Sequence, residues 1–112
     1  MAAYLAWPNS LASARRNVHL HYDLGNDFYG LWLDPTMTYS SALFANDPSQ
    51  PLDAAQHAKY ERILDRLEVR QGDTLLEIGC GWGGFAETAA RRGARVTAIT
   101  LSAGQAACAR PW

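Results

Sequence analysis

Thr74-Leu-Leu-Glu-Ile-Gly-Cys-Gly-Trp-Gly-Gly84 is an apolar run that ends in a carboxylate and turns through four glycines in six residues. The run Thr74–Ile78 is short and apolar, which reads as a buried β-strand. Phe85 to Arg92 reads as a helix, with Phe85, Ala86, Ala89 and Ala90 facing inward and Gly93 at its stop. The glycines therefore sit in a strand-to-helix turn. They permit positive φ and let a ligand approach the backbone with no Cβ in the way. The helix start then presents unpaired amide N–H groups. Such a turn binds ligands.

Working outward, Arg95-Val-Thr-Ala-Ile-Thr100 is a second strand, and Ser102 with Gln105 forms a capping box that opens a helix toward Pro111-Trp112. Upstream, Asp53 with Gln56 resembles another capping box. Tyr60, Ile63, Leu64 and Leu67 follow at i, i+3, i+4, i+7, one face of an amphipathic helix that Gly72 closes. Helices alternating with strands imply an α/β fold with a parallel sheet and right-handed crossovers. The expected architecture is Rossmann-like, truncated after the second strand and its following helix. Residues 53–112 form this first half-domain and residues 1–16 a loose leader. Residues 17–52 form an N-terminal helical lid segment. That segment carries six of the twelve aromatic residues, between Tyr22 and Phe44, interleaved with Asp23, Asp27 and Asp34. A short helix is expected around Gly25–Trp32, stopped by Asp34-Pro35.

Composition narrows the function. Ten basic against eleven acidic residues give a net charge of −1, and a nucleic-acid binder needs a basic face instead. Cys80 and Cys108 make neither a disulfide framework nor a zinc site. His19 and His21 form one H-x-H pair with no further ligand at metal spacing, so no metal is expected. The stretch Met1–Pro8 is too short and too interrupted by proline to span a bilayer. Arg15 and Arg16 follow it, the wrong order for a secretory signal. A cytoplasmic protein is expected.

The glycine turn satisfies two templates. Gly79-x-Gly81-x-x-Gly84 fits the dinucleotide (NAD) fingerprint, which asks for an acidic residue about twenty positions on. Thr100, Leu101 and Ser102 stand there, with no carboxylate. Glu77-x-Gly79-x-Gly81-x-Gly83 resembles the motif of class I S-adenosylmethionine (SAM)-dependent methyltransferases, most of which also carry that acid. The turn alone leaves both readings open.

Two further blocks decide. His21-Tyr-Asp-Leu-Gly-Asn-Asp-Phe-Tyr29 with Leu31-Trp-Leu-Asp-Pro-Thr-Met-Thr-Tyr-Ser40, then Leu75–Gly84, then Ile99-Thr-Leu-Ser102 with Gln105, together resemble the cyclopropane-fatty-acyl-phospholipid synthase family. That family includes the mycolic acid cyclopropane synthases. The resemblance runs from residue 16 to residue 109 and implies SAM as cofactor. It also accounts for the missing acid, since the second strand of this family ends in Thr-Leu-Ser. By resemblance, Tyr39 and Ser40 contact the cofactor from the N-terminal segment. Leu75, Leu76, Glu77, Ile78, Gly79, Cys80, Gly81, Trp82 and Gly83 pass beneath its methionine and ribose. Thr100, Leu101, Ser102 and Gln105 complete the pocket.

Family members transfer the sulfonium methyl group to a cis double bond of a lipid acyl chain, and proton loss closes a cyclopropane ring. The implied substrate is an unsaturated phospholipid acyl chain or related lipid, met by peripheral contact at the inner face of a membrane. Apolar walls and aromatic faces suit the carbocation, and Tyr22, Phe28, Tyr29, Trp32, Tyr39 and Phe44 are the candidates. A bound bicarbonate serves as the base in this family, held partly by a cysteine after Tyr-Ser. Ser41 stands at that position and is the catalytic candidate. Its hydroxyl still donates a hydrogen bond, but the change opens an alternative of plain methylation of another lipid or small molecule. The other bicarbonate ligands of the family fall downstream, so the isolated chain is expected to be inactive and marginally stable. A dinucleotide-binding domain is the rival from another class.

Overall fold

Proline and glycine punctuation separates the elements of the chain from one another. In a computed structural model, which describes residues 10, 12–14, 16–17, 24–45 and 47–109, these are α1 (Gly25–Gly30), α2 (Leu52–Arg66), β1 (Thr74–Ile78), α3 (Gly84–Arg91), β2 (Arg95–Ile99) and α4 (Ala103–Cys108). The strands pair in parallel from Thr74 opposite Arg95 to Ile78 opposite Ile99. The pairing runs on into the glycine turn, where Gly79 and Cys80 both donate to the Ile99 carbonyl at 2.8 and 3.0 Å. The mouth of the turn is thus pinned to the C-terminal end of β2.

One core holds α2 and α3 to one face of this sheet. Leu64 and Val69, from α2 and its exit, meet Ala89 and Ala94, from α3 and its exit, with Leu75, Phe85 and Val96 packed against them. Leu64 and Ala89 are fully buried. The small side chain at Ala89 lets α2 approach α3 closely. Outside the core, Arg92 pairs with Glu61 at 2.5 Å and with Asp65 at 2.7 Å, both on α2. The carboxylates are half exposed or more, so solvent screens these pairs and they contribute little to stability.

Several expectations are corrected. Thr74–Ile78 is not buried throughout: it alternates, with Leu75 and Glu77 toward the helices and Leu76 and Ile78 exposed. α2 is capped at Pro51 without a side-chain bond, and Asp53 lies inside the first turn, where its carboxylate accepts from the next amide. The extended Pro51 already ends the preceding loop, which leaves a capping box no place. The buried face of α2 is Ala55, Gln56, Tyr60 and Leu64. Ile63 and Leu67 are exposed, because α3 covers a stripe narrower than the apolar period. Gly72 does not close α2. The helix ends at Glu68, at φ 53°, where Val69 donates to the Leu64 carbonyl and Glu68 to that of Asp65. α3 ends in the same pair of bonds around Gly93. The Ser102 cap forms, accepting from the Gln105 amide at 3.2 Å. The reciprocal half does not, because the Gln105 side chain accepts from Thr100 at 2.8 Å instead.

His19, His21, Tyr22, Asp23 and the Pro111-Trp112 stop lie outside the described residues.

Candidate functional site

The turn after β1 opens into a cavity of about 220 Å³. Met37, Thr38, Tyr39 and Ser40 wall one side, Tyr60 and Gly84 the base, Glu77, Gly79, Cys80, Gly81 and Trp82 the strand end, and Gln105 the far edge. Gly79, Gly81 and Gly83 take φ of 82°, 56° and 92°, values that L side chains adopt only with strain. The space where a Cβ would stand at Gly79 and Gly81 is open, so the backbone there is approachable. Gly84 is needed for a different reason. A Cβ there would lie 3.0 Å from the Tyr60 hydroxyl and 3.2 Å from Thr38 Oγ1, at the point where those two hydroxyls bond to each other.

The segment from Thr38 to Ser41 is held down by one face of α2. Tyr60 Oη bonds Thr38 Oγ1 at 2.8 Å, and Thr38 Oγ1 in turn bonds Thr36 Oγ1 at 2.6 Å. Gln56 Nε2 donates to the Ser40 carbonyl at 2.9 Å. Lys59 Nζ donates to Ser40 Oγ at 2.8 Å, to the Ser41 carbonyl at 3.1 Å and to Gln56 Oε1 at 2.6 Å. Positions 59 and 60 are the i+3 and i+4 neighbours of position 56, so a single helix face grips the loop.

The far side is held by Asn26 of α1. Its Oδ1 accepts from the Trp82 indole N–H at 2.7 Å, while its Nδ2 donates to the Gly104 carbonyl at 3.1 Å and to Cys108 Sγ at 2.9 Å. One amide therefore joins α1, the glycine turn and α4. Around it Tyr29 packs against Trp82, Tyr39, Trp32 and Phe28, with centroids 5.0 to 5.8 Å apart. Phe28, Tyr29, Trp32 and Tyr39 of the expected aromatic set thus form one cluster, which gains Trp82.

Electrostatics set this cavity apart. Burial pushes the Glu77 carboxyl above its ordinary value, partly opposed by the Ala86 backbone N–H. Glu77 Oε2 is buried and has no hydrogen-bond partner, an arrangement shared among the described residues only by Asp34 Oδ1. Burial raises Tyr60, which the Thr38 bond partly relieves and the charges of Glu77 and Asp34 reinforce. Burial raises the Cys80 thiol, and Glu77 adds to it. Burial lowers Lys59, with Asp34 pulling the other way. The cavity thus has an ammonium behind one wall and an unmatched carboxylate in another.

Of the residues expected to touch a cofactor, Tyr39, Ser40, Glu77, Gly79, Cys80, Gly81, Trp82 and Gln105 line the cavity. The others do not. Leu75 packs in the core, and Leu76, Ile78 and Leu101 are exposed on the open side of the sheet. Gly83 lines a wider cavity of about 660 Å³ with Ala86, Ala90, Ala94, Val96 and Ala98, where Arg95 alone is charged. Thr100 and Ser102 act behind the wall, orienting Gln105 and capping α4. The Ser41 carbonyl is fixed by Lys59, and the residue is exposed outside the cavity. Met37, Thr38, Tyr60 and Gly84 line it although the motif did not mark them, and Gln56, Lys59 and Asn26 hold its walls. No local pattern in the sequence marks Gln56, Lys59 and Tyr60, because their bonds to the loop span 16 to 22 positions. Among the described residues there is no cluster of three metal-ligating side chains. No helix there is long and apolar enough to cross a membrane.

A parallel sheet, a glycine turn at its C-terminal edge and a carboxylate at the strand end define the front part of a Rossmann-like nucleotide-binding fold. A cyclopropane synthase from Mycobacterium tuberculosis, MmaA2, superposes with a TM-score of 0.79 at 45% identity over 85% of this chain and 33% of that one. The mycolic acid cyclopropane synthase CmaA1 complexed with SAH and CTAB gives 0.79 at 43% identity, over 84% of this chain and 33% of that one. The tuberculostearic acid methyltransferase of M. tuberculosis is 47% identical over 94% of this chain and 26% of its own length. The family model described as mycolic acid cyclopropane synthetase matches residues 9–111. The chain belongs to the mycolic acid cyclopropane synthetase family. It spans about a quarter to a third of the length of these relatives. Membership decides between the two templates of the glycine turn, in favour of the methyltransferase.

Proposed function

We propose that this chain forms the cofactor-holding part of an enzyme that transfers a methyl or methylene group from SAM to an unsaturated lipid acyl chain, in the finer reading that of a phospholipid. The observation that carries this is Glu77 Oε2, a buried carboxylate oxygen without a partner, in a cavity whose glycine backbone is open to a ligand. A buried acceptor left unmade costs about 1–3 kcal/mol, and a ligand N–H or O–H group relieves that cost. SAM carries such donors, and its sulfonium methyl group is the chemistry it supplies when bound. The chain's own part is to hold and orient. Glu77 accepts from the ligand, Gly79 and Gly81 let it lie against the backbone, and Tyr39, Ser40 and Gln105 close its sides. The aromatic cluster of Phe28, Tyr29, Trp32, Tyr39 and Trp82 supplies apolar, electron-rich faces next to it. Contact with a membrane would be peripheral.

Isothermal titration of the chain with S-adenosylhomocysteine (SAH), with NAD as control, tests the reading. Saturable SAH binding and no response to NAD are expected. Tight NAD binding with no response to SAH would overturn it.

A second reading, plain methyl transfer to another lipid, is favoured by Ser41. It stands where the resemblance places the cysteine that helps hold bicarbonate. Product analysis of labelled lipid, separating ring from methyl branch, distinguishes the two.

A further inference from the structure

The hydrogen bonds of Lys59 have a consequence for the ligand. An ammonium group only donates, and the three bonds of Lys59 go to Ser40 Oγ, the Ser41 carbonyl and Gln56 Oε1. Ser40 Oγ is therefore an acceptor toward Lys59, which occupies one of its two lone pairs on the α2 side. The Ser40 backbone is fixed independently, its carbonyl held by Gln56 Nε2 at 2.9 Å. Ser40 lines the cavity, and its hydroxyl hydrogen, which Lys59 cannot accept, is left to donate. A hydroxyl that accepts from a cation is also a stronger donor, because the bond polarises it. Lys59 is held in place by its three bonds and by the Tyr60 ring, whose centre lies 4.7 Å from Nζ. Its charge lies behind the wall that Ser40 presents.

We propose that Lys59 is a positioning residue that polarises Ser40 as a hydrogen-bond donor and so fits this end of the cavity to an anionic group, a carboxylate of the bound ligand. Glu77, on the strand-end wall, supplies the opposite polarity. A cavity with a donor backed by an ammonium on one wall and a carboxylate on another matches a zwitterionic amino-acid moiety. The inference rests on the SAM reading above, and the ligand carboxylate meets Ser40 while Lys59 itself makes no contact with it.

The test compares two ligands of the chain by titration: SAH, which carries the amino-acid moiety, and 5′-methylthioadenosine, which lacks it. Lys59→Met is expected to weaken SAH about tenfold, the scale of one hydrogen bond to a charged group, and to leave methylthioadenosine within about twofold. Lys59→Arg should restore most of the SAH affinity. Ser40→Ala should lose as much as Lys59→Met, and combining them should cost no more than either alone, because Lys59 acts through Ser40. Equal loss of both ligands, no loss of SAH, or additive losses in the double variant would each overturn the inference while leaving the SAM reading standing. Failure of the unmodified chain to bind SAH would overturn that reading, and this inference with it. Ser40→Ala removes only a hydroxyl at an exposed position, so it keeps the test decisive should Lys59→Met fold poorly.

Discussion

Glu77 combines the two roles that a strand-end carboxylate can have. It faces the first turn of α3, where the Ala86 amide favours its charge, yet burial outweighs that amide and holds its carboxyl above the ordinary range. The fold thus prefers the neutral form. That preference is fully present below about pH 4 and is lost as pH rises through the raised folded value. Glu77→Gln removes the charge while keeping an acceptor for Ala86. At pH 7 the ligand-free variant should melt about 2–5 °C higher than the parent chain, and the two should converge near pH 4. Its affinity for SAH should fall about tenfold. A lower midpoint at pH 7, read by circular dichroism, would show that the carboxylate is stabilising the fold instead. The opposite signs for stability and binding mark a residue kept for its ligand.

The two long helices end in the same hydrogen-bond pattern with different residues at the left-handed position. α3 uses Gly93, at φ 91°, and α2 uses Glu68, at φ 53°. A left-handed conformation costs a residue with a Cβ about 1–2 kcal/mol, and a negative charge at a helix C-terminus adds to the penalty. Val69 offsets part of this by reaching back to Leu64 in the core, the hydrophobic contact that accompanies this type of helix end. Glu68→Gly should therefore stabilise the chain by about 1 kcal/mol, after the greater flexibility of glycine in the unfolded chain is subtracted. A urea transition shifted to higher concentration at unchanged slope is the expected result. A shift to lower concentration would mean that Glu68 makes a favourable interaction elsewhere. Neither terminus touches the cavity, so SAH affinity should not change.

At the scale of the whole molecule the sheet, among the described residues, is covered on one face and open on the other. Leu76 is 64% exposed, Ile78 75% and Leu101 81%, with Ile99 beside them at 51%. Ile78 and Ile99 are directly paired across the two strands. A contiguous apolar face of this kind drives association, and each strand also has an edge without a partner among the described residues. The chain alone should associate in a concentration-dependent way. Ile78→Thr with Ile99→Thr keeps the β-branched shape that suits a strand while removing apolar area. Sedimentation velocity should then show markedly weaker association, with stability changed by no more than about 0.5 kcal/mol. Undiminished association would place the contact elsewhere.

The sequence by itself determined the order of elements, the strand-to-helix glycine turn, the Ser102 cap and the family. Each of these is written in neighbours a few residues apart: an apolar period, a glycine that permits positive φ, a side chain three residues from the amide it caps. Eight of the expected cofactor contacts, from Tyr39 to Gln105, do reach one cavity. The alternation of β1 between covered and open faces, however, depends on what packs against a strand, which an apolar run does not encode. Tertiary structure alone decided that Lys59 backs Ser40, 19 positions away, and that Asn26 joins Trp82 and Gly104, 56 and 78 positions away. Bonds across such separations leave no periodic trace in the chain. They exist because the shared core of Leu64, Val69, Ala89 and Ala94 brings α2 against α3 and Tyr29 packs α1 against Trp82, so that segments distant in the chain meet beside those contacts.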